Sequence, residues 1–233
     1  MIQELKSDLK SYGNPEKAKI LSRFFKTGKG QYGEGDVFLG VKVPEQRKVA
    51  NRYRNIPFDD LEELLNSEIH EHRLTALLIL VEKFKKADEI EKQKIVNFYL
   101  QNTSRVNNWD LVDLSADKII GEFLFGKDEN DKSILYKFSK SDNLWQRRIA
   151  IIATFAFIKK GKFNDTLRIA EILLNDKHDL IQKAVGWMLR EVGKRNQDVE
   201  EDFLKKHYKK MPRTMLRYAI ERFDAEQKRF YMG

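Results

Sequence analysis

A short segment recurs along this chain at nearly constant spacing, and that recurrence limits the fold more than any other feature. The copies are His72-Arg73-Leu74-Thr75-Ala76, Trp109-Asp110-Leu111-Val112-Asp113, Gln146-Arg147-Arg148-Ile149-Ala150, Gln182-Lys183-Ala184-Val185-Gly186 and Leu216-Arg217-Tyr218-Ala219-Ile220. With Arg73, Asp110, Arg147, Lys183 and Arg217 as markers, the intervals are 37, 37, 36 and 34 residues. Each marker opens, or sits early in, the second and more apolar helix of a helix pair. A pair this short cannot bury its apolar face alone, so neighbouring pairs must stack. HEAT-type repeats lie close to this length, and in such a stack the second helices line one concave face. The expected fold is all-α, a curved α-solenoid of stacked HEAT-like helix pairs, with residues 1–233 as a single domain. The first-turn cations would form a stripe on the concave face, a curved grip suited to a polyanion.

Helical periodicity runs through the chain. Asn14 followed by Pro15 reads as an N-cap and a first-turn proline, opening a helix to about Lys26. Pro44 starts another to about Arg54, and Phe58–Leu65 forms a short amphipathic helix. Glu71 to Lys86 is longer, with Leu74, Leu77, Leu78 and Val81 inward. Further helices are expected at 89–101, 108–124, 130–139, 143–160, 164–174, 179–194, 198–208 and 212–223. No run shows the alternation of a strand.

The net charge is +8, unevenly spread. Residues 143–195 hold eleven Lys/Arg against five Asp/Glu, and residues 203–233 hold nine against three, whereas residues 55–102 hold six against ten. A basic half beside an acidic stretch points to a polyanion bound over part of the surface. There is no cysteine, so disulfides and thiolate chemistry are excluded and a reducing compartment fits. The first residues resemble no signal peptide, and the longest apolar run, Ile149 to Ile158, is too short to span a membrane. A cytoplasmic monomer, nucleoid-associated if prokaryotic, with no membrane partner, is expected.

Trp109 and Asp113 lie four residues apart, which on a helix puts them on one face about a turn apart. The other tryptophans, Trp145 and Trp187, recur beside Arg147, Arg148, Lys183 and Arg190. Three consecutive repeats thus carry flat aromatics, one carboxylate and a set of cations, with Arg148 placed to hold a phosphate. The alternative is that all three tryptophans are core, with Asp113 solvated or paired with Lys118 or Arg148.

Other chemistries find no support. Gly28-Lys29-Gly30-Gln31-Tyr32-Gly33 matches GxGxxG, but a helix precedes it where a dinucleotide site needs a strand. A structural or DNA-facing loop is expected instead. His70 and His72 are two apart and would point away from each other, and no zinc spacing is present. No metal and no cofactor are expected.

Four stretches resemble one family nearly end to end: Gly33-Glu34-Gly35-Asp36-Val37-Phe38-Leu39-Gly40-Val41-Lys42-Val43-Pro44, Asn108-Trp109-Asp110-Leu111-Val112-Asp113, Ser141-Asp142-Asn143-Leu144-Trp145-Gln146-Arg147-Arg148, and Ile181 through Glu191. The chain is similar to the DNA alkylation repair family of AlkD-like DNA glycosylases, built from HEAT-like repeats. The resemblance implies excision of positively charged N3- and N7-alkylpurines from double-stranded DNA in base excision repair, with the lesion still stacked. It implies that Asp113 is the catalytic carboxylate. Trp109 and Trp187 match the aromatic pair against the lesion's sugar-phosphate backbone, and Arg148 matches the phosphate-holding arginine. Lys183, Arg190, Arg47, Phe24 and Trp145 complete the expected DNA-binding set. Phe24 stands where a relative has tyrosine, Val43 where one has threonine, and Ala156 where that relative has lysine; these departures bear on substrate range and DNA affinity.

The chemistry is coherent without the resemblance. An N-alkylated purine is a cation that leaves as a neutral base, so it needs little acid catalysis. The sugar becomes oxocarbenium-like, and a carboxylate opposes that charge. Tryptophan faces add cation–π attraction of about 0.5–2 kcal/mol. Two other readings remain: a catalytically silent solenoid binding distorted duplex, and a HEAT-type protein scaffold, which the basic balance of the C-terminal half disfavours.

Overall fold

The computed structural model describes residues 1–233, and the chain is all-α apart from one isolated bridge between Val37 and Ile69. It divides into two compact units, Met1–Ser115 and Ala116–Gly233. The first contains α1 (Ile2–Ser11), α2 (Pro15–Phe24), α3 (Val43–Arg52), α4 (Phe58–Leu65), α5 (His70–Lys86) and α6 (Glu89–Gln101). Helix α7 (Trp109–Ala116) carries the chain across the boundary, and a π-helical turn, Asp117–Gly121, and α8 (Glu122–Leu124) follow in the second unit. There follow α9 (Glu129–Ser139), α10 (Leu144–Ala153), α11 (Phe155–Lys159), α12 (Asn164–Ile172), α13 (Asp179–Gly193), α14 (Gln197–His207), α15 (Arg213–Ala219) and α16 (Ala225–Met232). No helix is long and apolar enough to cross a membrane.

Each unit is layered in helix pairs. In the first, α3 lies against α5, and α4 and α6 also pack on α5. In the second, α10 contacts α13 and α13 contacts α15, while α9 packs on α10 and α12 and α14 pack on α13. At Gly186 α13 and α15 approach closely: a Cβ there would lie 2.3 Å from the Met215 carbonyl oxygen, so any side chain would push α15 away. Helix α5 is buried nearly along its length, including Leu74, Leu77, Leu78 and Val81.

Asn14 caps its helix as expected, and Asn143 caps another. The Asn14 side chain accepts the Lys17 amide at 2.9 Å, and Asn143 accepts those of Trp145 and Gln146. The span expected at 143–160 is broken at Thr154, whose hydroxyl donates to the Ile151 carbonyl at 2.7 Å. Helices α1 and α16 went unread in the sequence, although Leu5 and Leu9 of α1 are fully buried.

The recurrence has a local cause. Ser67 Oγ accepts the Ile69 amide at 3.1 Å, and Arg73 Nη1 donates back to the Ser67 carbonyl at 2.8 Å. In the second unit Ser141 Oγ accepts the Asn143 amide at 3.1 Å and Arg147 Nη1 donates to the Ser141 carbonyl at 2.9 Å. Asp176 repeats this, accepting the His178 amide at 2.8 Å while Gln182 donates to its carbonyl at 2.9 Å. In each case a side chain six residues on closes a turn that a serine or aspartate opened. The physical register therefore falls on Gln182, not Lys183.

This corrects the expected cation stripe at two positions. Arg73 is 3% exposed and paired with Asp36 at 2.5 Å, and Arg147 is paired with Asp176 at 2.7 Å. Both guanidiniums hold loops. Asp110 departs from the pattern, placing a carboxylate where the others place a donor.

Candidate functional site

In the first unit, α7 carries Trp109 and Asp113, both half-buried, at its first and fifth positions. The Trp109 ring stacks on Phe25, with centroids 5.2 Å apart and planes at 16°, and meets Phe24 edge-on at 5.9 Å. Phe24 itself is 61% exposed. An exposed phenylalanine beside a half-buried tryptophan gives this face a small apolar patch. Arg47 is exposed on α3. An open cavity of about 440 Å³ lies alongside, lined by Phe24, Phe25, Phe38, Val43, His70 and Asp110 among others.

The loop before α3 is what brings these groups together. Val37 donates its amide to the Glu68 carbonyl and accepts that of His70. The buried Glu71 carboxylate accepts the amides of Leu39, Gly40 and Val41 at 3.0, 2.8 and 3.2 Å. Gly40 has φ +81°, and a Cβ there would lie 2.1 Å from the Asn14 carbonyl oxygen, so the crossing requires glycine. The GxGxxG stretch is a turn, with the Gly30 amide on Glu34, and leads to Asp36.

Beneath α7 lies a polar cluster that sequence reading missed. His70 Nδ1 faces Asp36 Oδ2 at 3.0 Å and its Nε2 faces Asp110 Oδ2 at 2.8 Å. Asn108 donates to Asp36 at 3.1 Å and accepts the Trp109 amide at 2.8 Å. Burial disfavours ionised Asp36, but the His70 hydrogen bond, the Arg73 charge and Asn108 outweigh it and hold the carboxyl below the usual range. Burial would likewise lower the His70 pKa, yet the Asp110 charge and the bonds to both carboxylates raise it to about 9. The available signal was Asp110, the one repeat marker that is not a donor. No group of three or more His, Asp or Glu is arranged to hold a metal ion.

In the second unit, Trp187 on α13 is half-buried against Phe155, with centroids 5.9 Å apart, and its Nε1 donates to Glu191 at 3.3 Å. Burial alone would raise the Glu191 pKa; Lys194, Arg195 and the Trp187 bond bring it below the ordinary value. Lys183 pairs with Asp179 at 2.8 Å, and Arg190 pairs with Glu221. Arg148 is 5% exposed, and its Nη1 donates to the Leu180 carbonyl at 2.5 Å. Trp145, expected in the DNA-binding set, is 8% exposed and lies in the core. Its apolar bulk, at the second position of a helix whose inner face is almost all aliphatic, is what buries it.

Comparison with known proteins agrees with this architecture. A protein from Enterococcus faecalis described as a predicted DNA alkylation repair enzyme superposes with TM-score 0.70, at 20% identity, over 91% of this chain and 97% of its own. AlkD2 from Streptococcus mutans superposes with TM-score 0.57 at 20% identity, over 90% and 99%. The smu.31 protein of Streptococcus mutans UA159 gives 0.56 at 20% identity, over 89% and 100%. At such identity these likenesses show the fold. Among curated proteins none matches the chain in sequence. The profile of the family described as DNA alkylation repair enzyme matches residues 5–223, nearly the full length, and the chain belongs to that family.

Proposed function

We propose that the protein is a DNA glycosylase that releases positively charged N3- and N7-alkylpurines from duplex DNA. The observation that carries this is the pairing on α7 of a half-buried carboxylate with a half-buried tryptophan one turn away, backed by Phe25 and flanked by exposed Phe24. Phosphate binding alone requires neither group.

The alkylated purine carries a formal positive charge. Cleaving the bond from C1′ to the base nitrogen sends the electron pair to the base, which leaves neutral. The sugar is left electron-poor at C1′ and ring oxygen. The Asp113 carboxylate opposes that charge and orients a water, which adds to C1′ and passes its proton to the surrounding solvent. Trp109 and Trp187 pack against the lesion's sugar-phosphate backbone, where their electron-rich faces favour the developing cation. Arg148, Lys183, Arg190 and Arg47 are assigned to the phosphates, with Phe24 at the edge of the duplex. Neutral adducts lack the good leaving group and should stay in place.

Incubation with methylated duplex and detection of free base tests the reading directly. Asp113→Asn keeps size and removes charge. It should bind lesion DNA nearly normally and excise at least about tenfold more slowly, a barrier increase of about 1.4 kcal/mol. Wild-type excision by this variant would remove Asp113 from catalysis. Duplex binding with no base released by the wild type would identify a DNA-binding protein instead.

A further inference from the structure

The proposed chemistry uses the exposed side of α7 and leaves the buried cluster beneath it without a task. Asp36, His70, Arg73 and Asn108 are each less than a tenth exposed, and such burial is tolerated only where every charge is paired. Here the pairing has a particular form. Both imidazole nitrogens of His70 face carboxylate oxygens, at 3.0 Å to Asp36 and 2.8 Å to Asp110. Only the imidazolium has a proton for each.

The cluster reaches the site by two routes. Asp110 Oδ1 accepts the Leu111 amide at 2.9 Å, and Asn108, held on Asp36, accepts the Trp109 amide at 2.8 Å. These bonds satisfy amides at the start of α7 that have no partner within the helix. Phe25 supplies the second route. Its ring lies 5.0 Å from the imidazole centroid and 5.2 Å from that of Trp109.

We propose that His70 is a positioning residue, a charged clamp between Asp36 and Asp110 that fixes the first turn of α7 and so the presentation of Trp109 and Asp113. The inference rests on the glycosylase reading for its consequence in catalysis. The charged groups facing His70 are Asp36 from the loop, Asp110 from α7 and Arg73 from its own helix; Phe25 and Phe38 cover its ring, and Glu71 is occupied by loop amides. With the imidazole protonated the four charges balance. Its pKa of about 9 keeps it so at neutral pH. The stability the clamp contributes is fully present below the ordinary histidine pKa of 6.5 and is lost as pH rises through about 9.

Base release and melting temperature of the full-length protein are followed from roughly pH 6 to roughly pH 10, spanning the histidine transition. Wild-type kcat should fall as pH rises through about 9, with KM for DNA changed less than about twofold. In Asp110→Asn the amide can donate to a neutral imidazole, so the second proton is no longer needed and this fall should disappear. His70→Gln, whose two N–H donors sit on one nitrogen and cannot replace donors on both sides of the ring, should lower kcat about tenfold without a matching change in KM. A purely structural histidine would change melting temperature without creating a pH profile that Asp110→Asn abolishes. A profile that Asp110→Asn leaves unaltered, or wild-type kcat in His70→Gln, overturns the proposal.

If the wild type releases no base, the glycosylase reading fails and the clamp is judged by fluorescence. With Trp145→Phe and Trp187→Phe, Trp109 is the only indole. Its emission should shift as pH rises through about 9, and Asp110→Asn should suppress the shift. A pH-independent emission overturns the clamp. Should these variants fail to fold, nitrogen-15 NMR of the wild type decides: both His70 nitrogens protonated at pH 8 support it, and one protonated nitrogen overturns it.

Discussion

Glu200 shows how one side chain can make stability depend on pH. It is 2% exposed, and its Oε1 has no hydrogen-bond partner. Burial, helped by the neighbouring Glu201 charge and opposed by Arg190, pushes its pKa up to about 8. The folded protein therefore holds a proton that the unfolded chain releases near the ordinary glutamate value of 4.5. The stability this contributes is present below that value and is lost as pH rises through about 8. Glu200→Gln should leave the melting temperature nearly unchanged at pH 5 and raise it at pH 9, relative to wild type. The expected gap is of the order of a few kcal/mol. Equal shifts at both pH values would show that folding does not raise the Glu200 pKa. Burial decides this residue's behaviour, and nothing in Asp198-Val199-Glu200-Glu201-Asp202, a run that reads as a solvated acidic face, announces it.

At the scale of elements, the loop that precedes each long helix matters more than the helix's own propensity. Arg147 bonds to Asp176 and to the carbonyls of Ser141 and Asp142, all from a side chain only 18% exposed. Arg147→Met keeps the apolar stem and removes all three bonds. It should cost about 2 kcal/mol, read as a lower denaturation midpoint. Arg217→Met, at the exposed marker whose Nε reaches only the Arg213 carbonyl at 3.4 Å, should cost less than about 0.5 kcal/mol. Equal costs would mean that the loop bonds contribute nothing net. The same contrast marks what the sequence could show. Apolar spacing made α5 and α13 legible, because their inward residues recur at helical intervals over four turns. The interval near 37 was legible too, since a repeated turn needs a repeated donor. Whether a given arginine faces DNA or its own loop was not legible, because both uses call for the same residue at the same place. Trp109 and Trp145 pose that problem again: one carries an exposed edge and one is core, and helical spacing treats them alike. The His70 cluster was hidden for another reason. Its members come from positions 36, 70, 108 and 110, and only the fold makes them neighbours.

For the whole molecule, charge divides as the chain does. Residues 1–115 carry 19 Lys/Arg against 18 Asp/Glu, and residues 116–233 carry 25 against 18. Of the net +8, then, +7 belongs to the second unit. For a member of a DNA repair family this asymmetry predicts where the sequence-independent part of binding resides. Each phosphate neutralised releases counterions, and the logarithm of affinity falls with the logarithm of salt at about 0.9 per contact. Four or more contacts would give a slope of about −3.6 or steeper. Phosphates are the same in damaged and undamaged duplex, so the two should share one slope and differ only in intercept. Titrating both duplexes across a salt series checks this. A slope near zero would mean that the basic surface is not used on DNA, and the scaffold reading would regain its place. A slope that differs between the duplexes would mean that lesion recognition recruits or releases cations. In that case Arg148, buried and bonded to the Leu180 carbonyl, is the residue to replace first: as a phosphate ligand it must leave that bond, and Arg148→Lys, too short to keep both roles, should bring the two slopes together.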